Sequence, residues 1–340
     1  MEELIADPDP VGAEATEDLA QLADDLRGVT LRDGYEYREA EPLLALASKI
    51  LADRQSAAFG SGSSRGEATE DDDEREGRAV FGGDGRAYKS NNTSFPYRTF
   101  TWSEAQCSGT MIGPGTMVTA AHCVYDTVTD AWLAVWDPTI WNPATGTWGV
   151  NRWPRWAPGV DARDATAAPY GWQQCYTPTI PTAYVNENSK TSSTALLNDY
   201  AVFDFTTHCG VRPGDATGWM GTWIYSEASI ESLGTRTYGY PQFAQGVFRY
   251  SGSVPNFFAE IWGMSAGAGT TFIDSPTTKL KTTLDTSGGQ SGSSYWVLDG
   301  DYRVIGIHMG QDTTTYNSGR RFDATVYNFW DFYSPYPQQM

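Results

Sequence analysis

The sequence predicts an all-β body of short strands joined by many turns, preceded by a small acidic helical segment. Three observations carry this expectation. Gly 35, Tyr 19 and Trp 13 among 340 residues supply turn formers and strand formers in quantity. Helical periodicity is scarce after residue 60. A hydrophobic fraction of 40% is enough for one large domain or two smaller cores.

Taken in chain order, residues 1–59 read as two short helices. Leu19, Leu22 and Leu26 recur at helical spacing in the first, and Leu43, Leu44, Leu46, Ala47, Ile50 and Leu51 in the second. Residues 60–78, "GSGSSRGEATEDDDEREGR", are glycine, serine and charge with nothing to bury, and read as a disordered, cleavable linker. From Ala79 onward aromatics and alternating patterns begin, so residues 79–340 form the body. In that body "CSGTMIG" and "TMVTA" flank Gly113-Pro114-Gly115 as a hairpin. "DYAVFDF" alternates Tyr200, Val202 and Asp204 against Ala201, Phe203 and Phe205, and "YRVIGIHMG" is another strand. Phe322, Val326, Phe329 and Trp330 share one helical stripe, so a helix closes the chain.

Charge is unevenly spread. Residues 1–78 hold 21 acidic and 8 basic side chains, a balance of −13, which leaves −6 of the total −19 for the body. Such a chain repels phosphates, which excludes nucleic acid as a partner. No apolar run approaches a membrane span, so no membrane partner is expected either. Four cysteines in a β-rich chain point to two disulfides and an oxidising compartment; spacing leaves all three pairings open. The sequon Asn91-Asn92-Thr93 agrees with secretion. The start "MEELIADPDP" lacks the basic region and apolar stretch of an export signal, so secretion requires a signal missing from this sequence or a misplaced start.

A serine hydroxyl is a poor nucleophile at neutral pH. It needs a base in reach, a carboxylate to orient the base, and backbone N–H donors for the oxyanion that develops. Three marked places offer these groups. His122 sits in "VTAAHCVYD", after a predicted strand and beside Cys123. Fifteen residues separate Cys107 from Cys123, and a bridge there would be worth roughly 3 kcal/mol while fixing the strand that presents His122. Asp199 sits in "LLNDYAVFDF", at the mouth of a strand, with Asp204 as the rival acid on the strand itself. Ser291 sits in Gly288-Gly289-Gln290-Ser291-Gly292. A flexible Gly/Ser linker is the bland alternative for that stretch, and it leaves the flanking strands and the His and Asp motifs unexplained.

"TAAHC", "NDYAVF" and "GGQSGS", in that order, resemble the chymotrypsin-like serine proteases over roughly residues 80–335. The resemblance implies two six-stranded antiparallel β-barrels with the site in the cleft between them. It implies His122 as general base, Asp199 as its orienting partner, Ser291 as nucleophile, and the N–H groups of Gly289 and Ser291 as oxyanion hole. Asp199 precedes an apolar strand as the family's acid does, whereas Asp204 lies within one. Cys175 and Cys209 are left for the second bridge, which encloses a long loop worth roughly 4 kcal/mol. His208, in "TTHCGVRPG", reads as a surface turn and receives no role.

"TSGGQSGS", the histidine in "VIGIHMGQ" and the start "AVFGGDGR" resemble the bacterial glutamyl endopeptidases. That resemblance implies a preference for Glu or Asp before the scissile bond, with Thr286 and His308 donating hydrogen bonds to a substrate carboxylate and Met309 and Gly310 pairing with the substrate backbone. It also implies that the head is a prosegment, cut off after Arg78, Glu76 or Glu74 to leave an active enzyme. Rival readings stand beside it. Asp285 on the pocket floor would select a basic residue instead, and separately His308 reads as a core histidine on a strand with no substrate role. Alternatively the body is an inactive protease-fold binding module, or the first 59 residues are a tethered regulatory domain. The expected partners are protein or peptide substrates, and the expected state is a monomer. No cofactor and no metal are expected, since the acids at 71–74 lack a glycine-centred loop of the calcium-binding kind.

Overall fold

The structure is a computed structural model that describes residues 28–32, 35–38, 78–81, 83–142, 146–160, 168–244, 247–248, 259–274, 279–311 and 315–334. Two curled, mainly antiparallel sheets dominate it. In spatial order the first runs Trp156–Pro158, Phe100–Ser103, Ser108–Gly113, Thr116–Thr119, Ala201–Asp204, Thr177–Pro181, Gly28–Arg32 and Tyr35–Arg38. Six of these strands come from the body, as a six-stranded barrel requires. The second sheet is larger than expected, with nine strands. Its path runs from Thr271–Asp274 through Lys279–Thr282, Asn317–Arg321, Tyr302–Gln311, Ser294–Leu298, Thr235–Gly239 and Trp262–Ser265 to Ala87–Tyr88, and Gly221–Thr222 pairs in parallel at its side.

The last two strands of the first sheet differ from expectation. Residues between the two expected helices form a hairpin, and its strand Gly28–Arg32 pairs antiparallel with Thr177–Pro181, Val29 facing Ile180. The stretch "GVTLRDGYEYR" carries β-branched and aromatic residues around Asp33-Gly34, a hairpin signal that lies between the two leucine stripes. The leucine stripes themselves and the linker 60–77 fall outside the described residues.

Burial on both faces explains why the strand after Asp199 reads as apolar. Tyr200, Ala201, Val202, Phe203 and Phe205 are all at most 1% exposed. The curled first sheet covers one side of the strand and the closing helix packs on the other, Tyr200 meeting Phe329 edge-on. The helix runs Ala324–Tyr333, capped by Asp323, whose carboxylate accepts the Val326 N–H at 3.1 Å. Val326, Phe329 and Trp330 are buried, and Phe322 just before the helix packs edge-on against Trp330. A second, smaller apolar cluster of Ile230, Ile273, Leu280, Leu284, Tyr295, Val297 and Ile305 fills the other barrel. Both disulfides pair as the resemblance implies, Cys107 with Cys123 and Cys175 with Cys209.

Candidate active site

His122 and Asp199 meet because their strands do. Thr116–Thr119 pairs with Ala201–Asp204 so that Thr119 faces Ala201. The chain leaves the first strand into a single helical turn, Ala121–Cys123, while Asp199 lies two residues before the second strand. Both residues therefore project from the same end of one strand pair. The Asp199 carboxylate accepts the His122 backbone N–H at 2.9 Å and bonds the ring Nδ1 at 2.7 Å. Asp199 is 3% exposed, whereas the His122 side chain is 22% exposed, so the ring stays within reach of a ligand while its partner does not. Asp204 faces Thr116 at the far end of the pair, where it accepts the N–H groups of Thr206 and Thr207 and shapes a turn. His208 is exposed in the turn beyond. Asp199 also acts on Tyr184, whose phenol is pushed well up, by burial first and by the Asp199 charge second.

The loop that carries Ser291 is held from several sides. Ser108, fully buried beside Cys107, donates its N–H to the Ser291 carbonyl at 2.8 Å and its hydroxyl to the Gly289 carbonyl at 2.8 Å, and its Oγ accepts the Tyr240 N–H at 2.9 Å. Sγ of Cys123, one residue from His122, lies 3.5 Å from the Ser291 carbonyl; as a disulfide sulfur it has no hydrogen to donate, so this is packing. Gly289 has φ +90°, and a Cβ there would stand 2.4 Å from the Tyr240 carbonyl. Gly292 has φ +82°, and a Cβ there would stand 2.0 Å from the Thr119 hydroxyl. No residue but glycine fits either position. Among the described residues, the backbone N–H groups of Gly289 and Ser291 donate to no protein acceptor.

His308 is 2% exposed and forms the inside of the wall next to this loop: its carbonyl accepts the Gly292 N–H at 2.9 Å and its N–H donates to the Ser293 carbonyl at 2.8 Å. Tyr295, also fully buried, bonds His308 Nδ1 through its hydroxyl at 2.8 Å. Burial pushes the His308 ring down to about 3, with the nearby His122 lowering it further against the Ser318 backbone and Asp199, so it is neutral at ordinary pH. Met309 is buried, Gly310 is half-buried, and beyond His308 the strand pairs among the described residues only with Asn317–Arg321.

Thr286 is buried, and its strand partner is Ala79, with Ser287 facing Arg78. Asp285 is buried too, and both its oxygens are engaged by the start of the body. Oδ1 accepts the Phe81 N–H at 2.9 Å and Oδ2 the Gly85 N–H at 2.7 Å. A carboxylate tied in this way clamps Phe81 and Gly85 to the stretch before the Ser291 loop. Sequence reasoning missed Ser108, Tyr295 and Arg86, all buried polar residues whose partners lie elsewhere in the chain. Ser108 carries one signal, its place directly after the bridged Cys107.

Cys107, His122 and Cys123 form the one cluster of metal-ligand type among the described residues. Both sulfurs are spent in the disulfide, so neither offers a thiolate to a metal ion.

Residues 85–143 match the family model for Trypsin. The chain is 27% identical over 265 residues to a protein named glutamyl endopeptidase from Bacillus licheniformis, covering 74% of this chain and 67% of that one. It is 28% identical over 261 residues to a protein named extracellular metalloprotease from Bacillus subtilis strain 168, covering 74% and 68%. A solved structure of Glu endopeptidase in complex with MPD superposes with a TM-score of 0.51 at 21% identity, over 74% of this chain and 98% of that one, which supports the fold. With the double-barrel fold, the paired His122 and Asp199 and the glycine bend around Ser291 in place, the chain is a chymotrypsin-like serine endopeptidase related to the bacterial glutamyl endopeptidases.

Proposed function

We propose that this enzyme is secreted as a zymogen and cuts proteins and peptides after Glu or Asp, using Ser291, His122 and Asp199. The observation that carries the reading is the pair of hydrogen bonds from Asp199 to the His122 backbone and ring, together with a glycine bend in which the N–H groups of Gly289 and Ser291 are unspent. Asp199 holds the proton on Nδ1, so Nε2 is the basic nitrogen. Nε2 takes the proton of Ser291 Oγ as the oxygen attacks the substrate carbonyl carbon. The oxyanion that forms is held by the N–H groups of Gly289 and Ser291. The C–N bond then breaks, the leaving amine receives the proton from Nε2, and an ester on Ser291 remains. Water repeats the sequence: His122 takes its proton, and the ester bond breaks to return that proton to Ser291.

The acidic preference is supported by His308 and Thr286 and by the unavailability of Asp285 to a basic side chain. If the Tyr295 hydroxyl donates to Nδ1, the His308 proton rests on Nε2, where the neutral ring can donate to a carboxylate. Met309 and Gly310 supply an edge for the substrate backbone. The hairpin at Gly28–Arg38, added to the first sheet, supports a head that folds together with the body as a prosegment. A cut after Arg78 would free the α-amino group of Ala79 opposite Thr286, where its charge would favour an acidic substrate.

Labelling with a serine-directed fluorophosphonate tests the nucleophile: the native protein labels and Ser291→Ala does not. A peptide panel differing only before the scissile bond tests the preference. Faster cleavage after Arg or Lys than after Glu would overturn it. His308→Ala should reduce kcat/KM on Glu substrates by an amount equivalent to roughly 2–4 kcal/mol and spare neutral ones.

A further inference from the structure

Among the buried charged residues described, Asp199, Asp285 and His308 have partners already given, Glu260 accepts the Trp262 ring N–H at 2.9 Å, and Arg320 pairs with Asp323 at the closing helix. Arg86 remains. It is 1% exposed and lies eight residues past Arg78, yet its guanidinium reaches the loop of Ser291. Nε and Nη2 grip the Asp84 carboxylate side-on at 2.9 and 2.8 Å. Nη1 donates to Ser287 Oγ at 2.8 Å and to Gln290 Oε1 at 2.7 Å.

Those two acceptors close one turn. Gln290 N–H donates to the Ser287 carbonyl at 3.0 Å, and Ser287 N–H donates back to Gln290 Oε1 at 3.1 Å. Arg86 braces this turn from the protein interior. Gly289 and Ser291 are the residues on either side of Gln290, so the orientation of Gln290 sets where their N–H groups aim. A buried ion pair adds little net stability over an apolar contact of the same shape, but it demands one geometry. An arginine fork that holds two groups at once fixes angle as well as distance.

We propose that Arg86 is a positioning residue for the Ser287–Gln290 turn, aligning the N–H groups of Gly289 and Ser291 for the oxyanion. It acts through Gln290 and touches no substrate. The proposal rests on Ser291 being the nucleophile.

The test uses the mature enzyme and compares Arg86→Met, Arg86→Lys, Gln290→Met and Gln290→Glu with the native protein. Each is assayed for kcat, KM and melting temperature at a temperature where it is folded. A lost oxyanion alignment lowers kcat about 10- to 100-fold in Arg86→Met and Gln290→Met. KM should move less than about threefold, since ground-state binding is untouched. Gln290→Glu keeps the acceptor for Nη1 and should recover most of the loss seen in Gln290→Met. Arg86→Lys places one donor where two are needed and should stay impaired. The Arg86→Met/Gln290→Met double variant should be no slower than the slower single, because both break one unit. Native kcat in folded Arg86→Met overturns the proposal. Should Arg86→Met not fold, Gln290→Met decides alone, because it leaves the Arg86–Asp84 pair and the Ser287 contact in place; native kcat there overturns the proposal equally. Ser291→Ala in the same assay separates the two levels. Residual native turnover in Ser291→Ala sinks the nucleophile itself, whereas a dead Ser291→Ala beside native Arg86 and Gln290 variants sinks only the positioning role.

Discussion

The carboxylate of Asp285 receives the backbone N–H of Phe81 at 2.9 Å, tying the first residues of the body to the strand that leads into the Ser291 loop. The Gly85 N–H fills its other oxygen. Asp285→Asn keeps one acceptor and loses the charge. Hydrogen bonds to a charged group are worth about 1.5–3 kcal/mol each, so the variant should melt several degrees lower. It should gain nothing on Glu substrates and lose nothing on Arg or Lys substrates, because both carboxylate oxygens are engaged by backbone N–H groups. Calorimetry and the peptide panel check both; a collapse of Arg cleavage in the variant would return Asp285 to the pocket floor.

His122→Ala and Ser291→Ala should each lose about 10⁴-fold or more in kcat, with the fold retained. Neither side chain holds the sheets together. Circular dichroism alongside single-turnover kinetics distinguishes this from unfolding.

Asp199→Asn should be similarly damaging, about 10⁴-fold, although the imidazole and hydroxyl both remain. The amide would donate where the carboxylate accepts, forcing the ring into the wrong tautomer. Activity of the variant should recover partly as pH rises, which a pH–rate profile would show.

Gly292→Ala should fail to accumulate as folded protein. The added methyl would meet Thr119 Oγ1 at 2.0 Å and the Ser108 carbonyl at 2.2 Å, in a left-handed backbone region besides. Expression with thermal denaturation checks this, and the control Gly300→Ala, whose Cβ meets nothing within 4 Å, should fold.

Stability should fall with acid through His308. Its folded value is depressed to about 3 against an ordinary value near 6.5. The unfolded chain therefore binds a proton that the native state refuses. The contribution is fully present above about pH 6.5 and is lost as pH falls from there toward 3, at up to roughly 1.4 kcal/mol per pH unit. Urea unfolding of the native protein and of His308→Gln between pH 7 and 4 should show the shallower slope in the variant.

The sequence by itself determined the β class, the closing helix and the hairpin around Pro114, because each depends on residues close together along the chain. It also marked His122, Asp199 and Ser291, since each sits in a short motif whose glycines, strand or cysteine is adjacent. It read leucine periodicity across residues 1–59 and passed over the Asp33-Gly34 hairpin between the stripes. That Asp285 binds the backbone of Phe81 and Gly85 was decided only by tertiary structure, and so was the destination of Arg86. Gly85 and Asp285 are 200 residues apart, and Arg86 and Gln290 are 204. A buried carboxylate or guanidinium must find partners, but propensity and periodicity are local and carry no information about which distant donor or acceptor the closing barrels deliver.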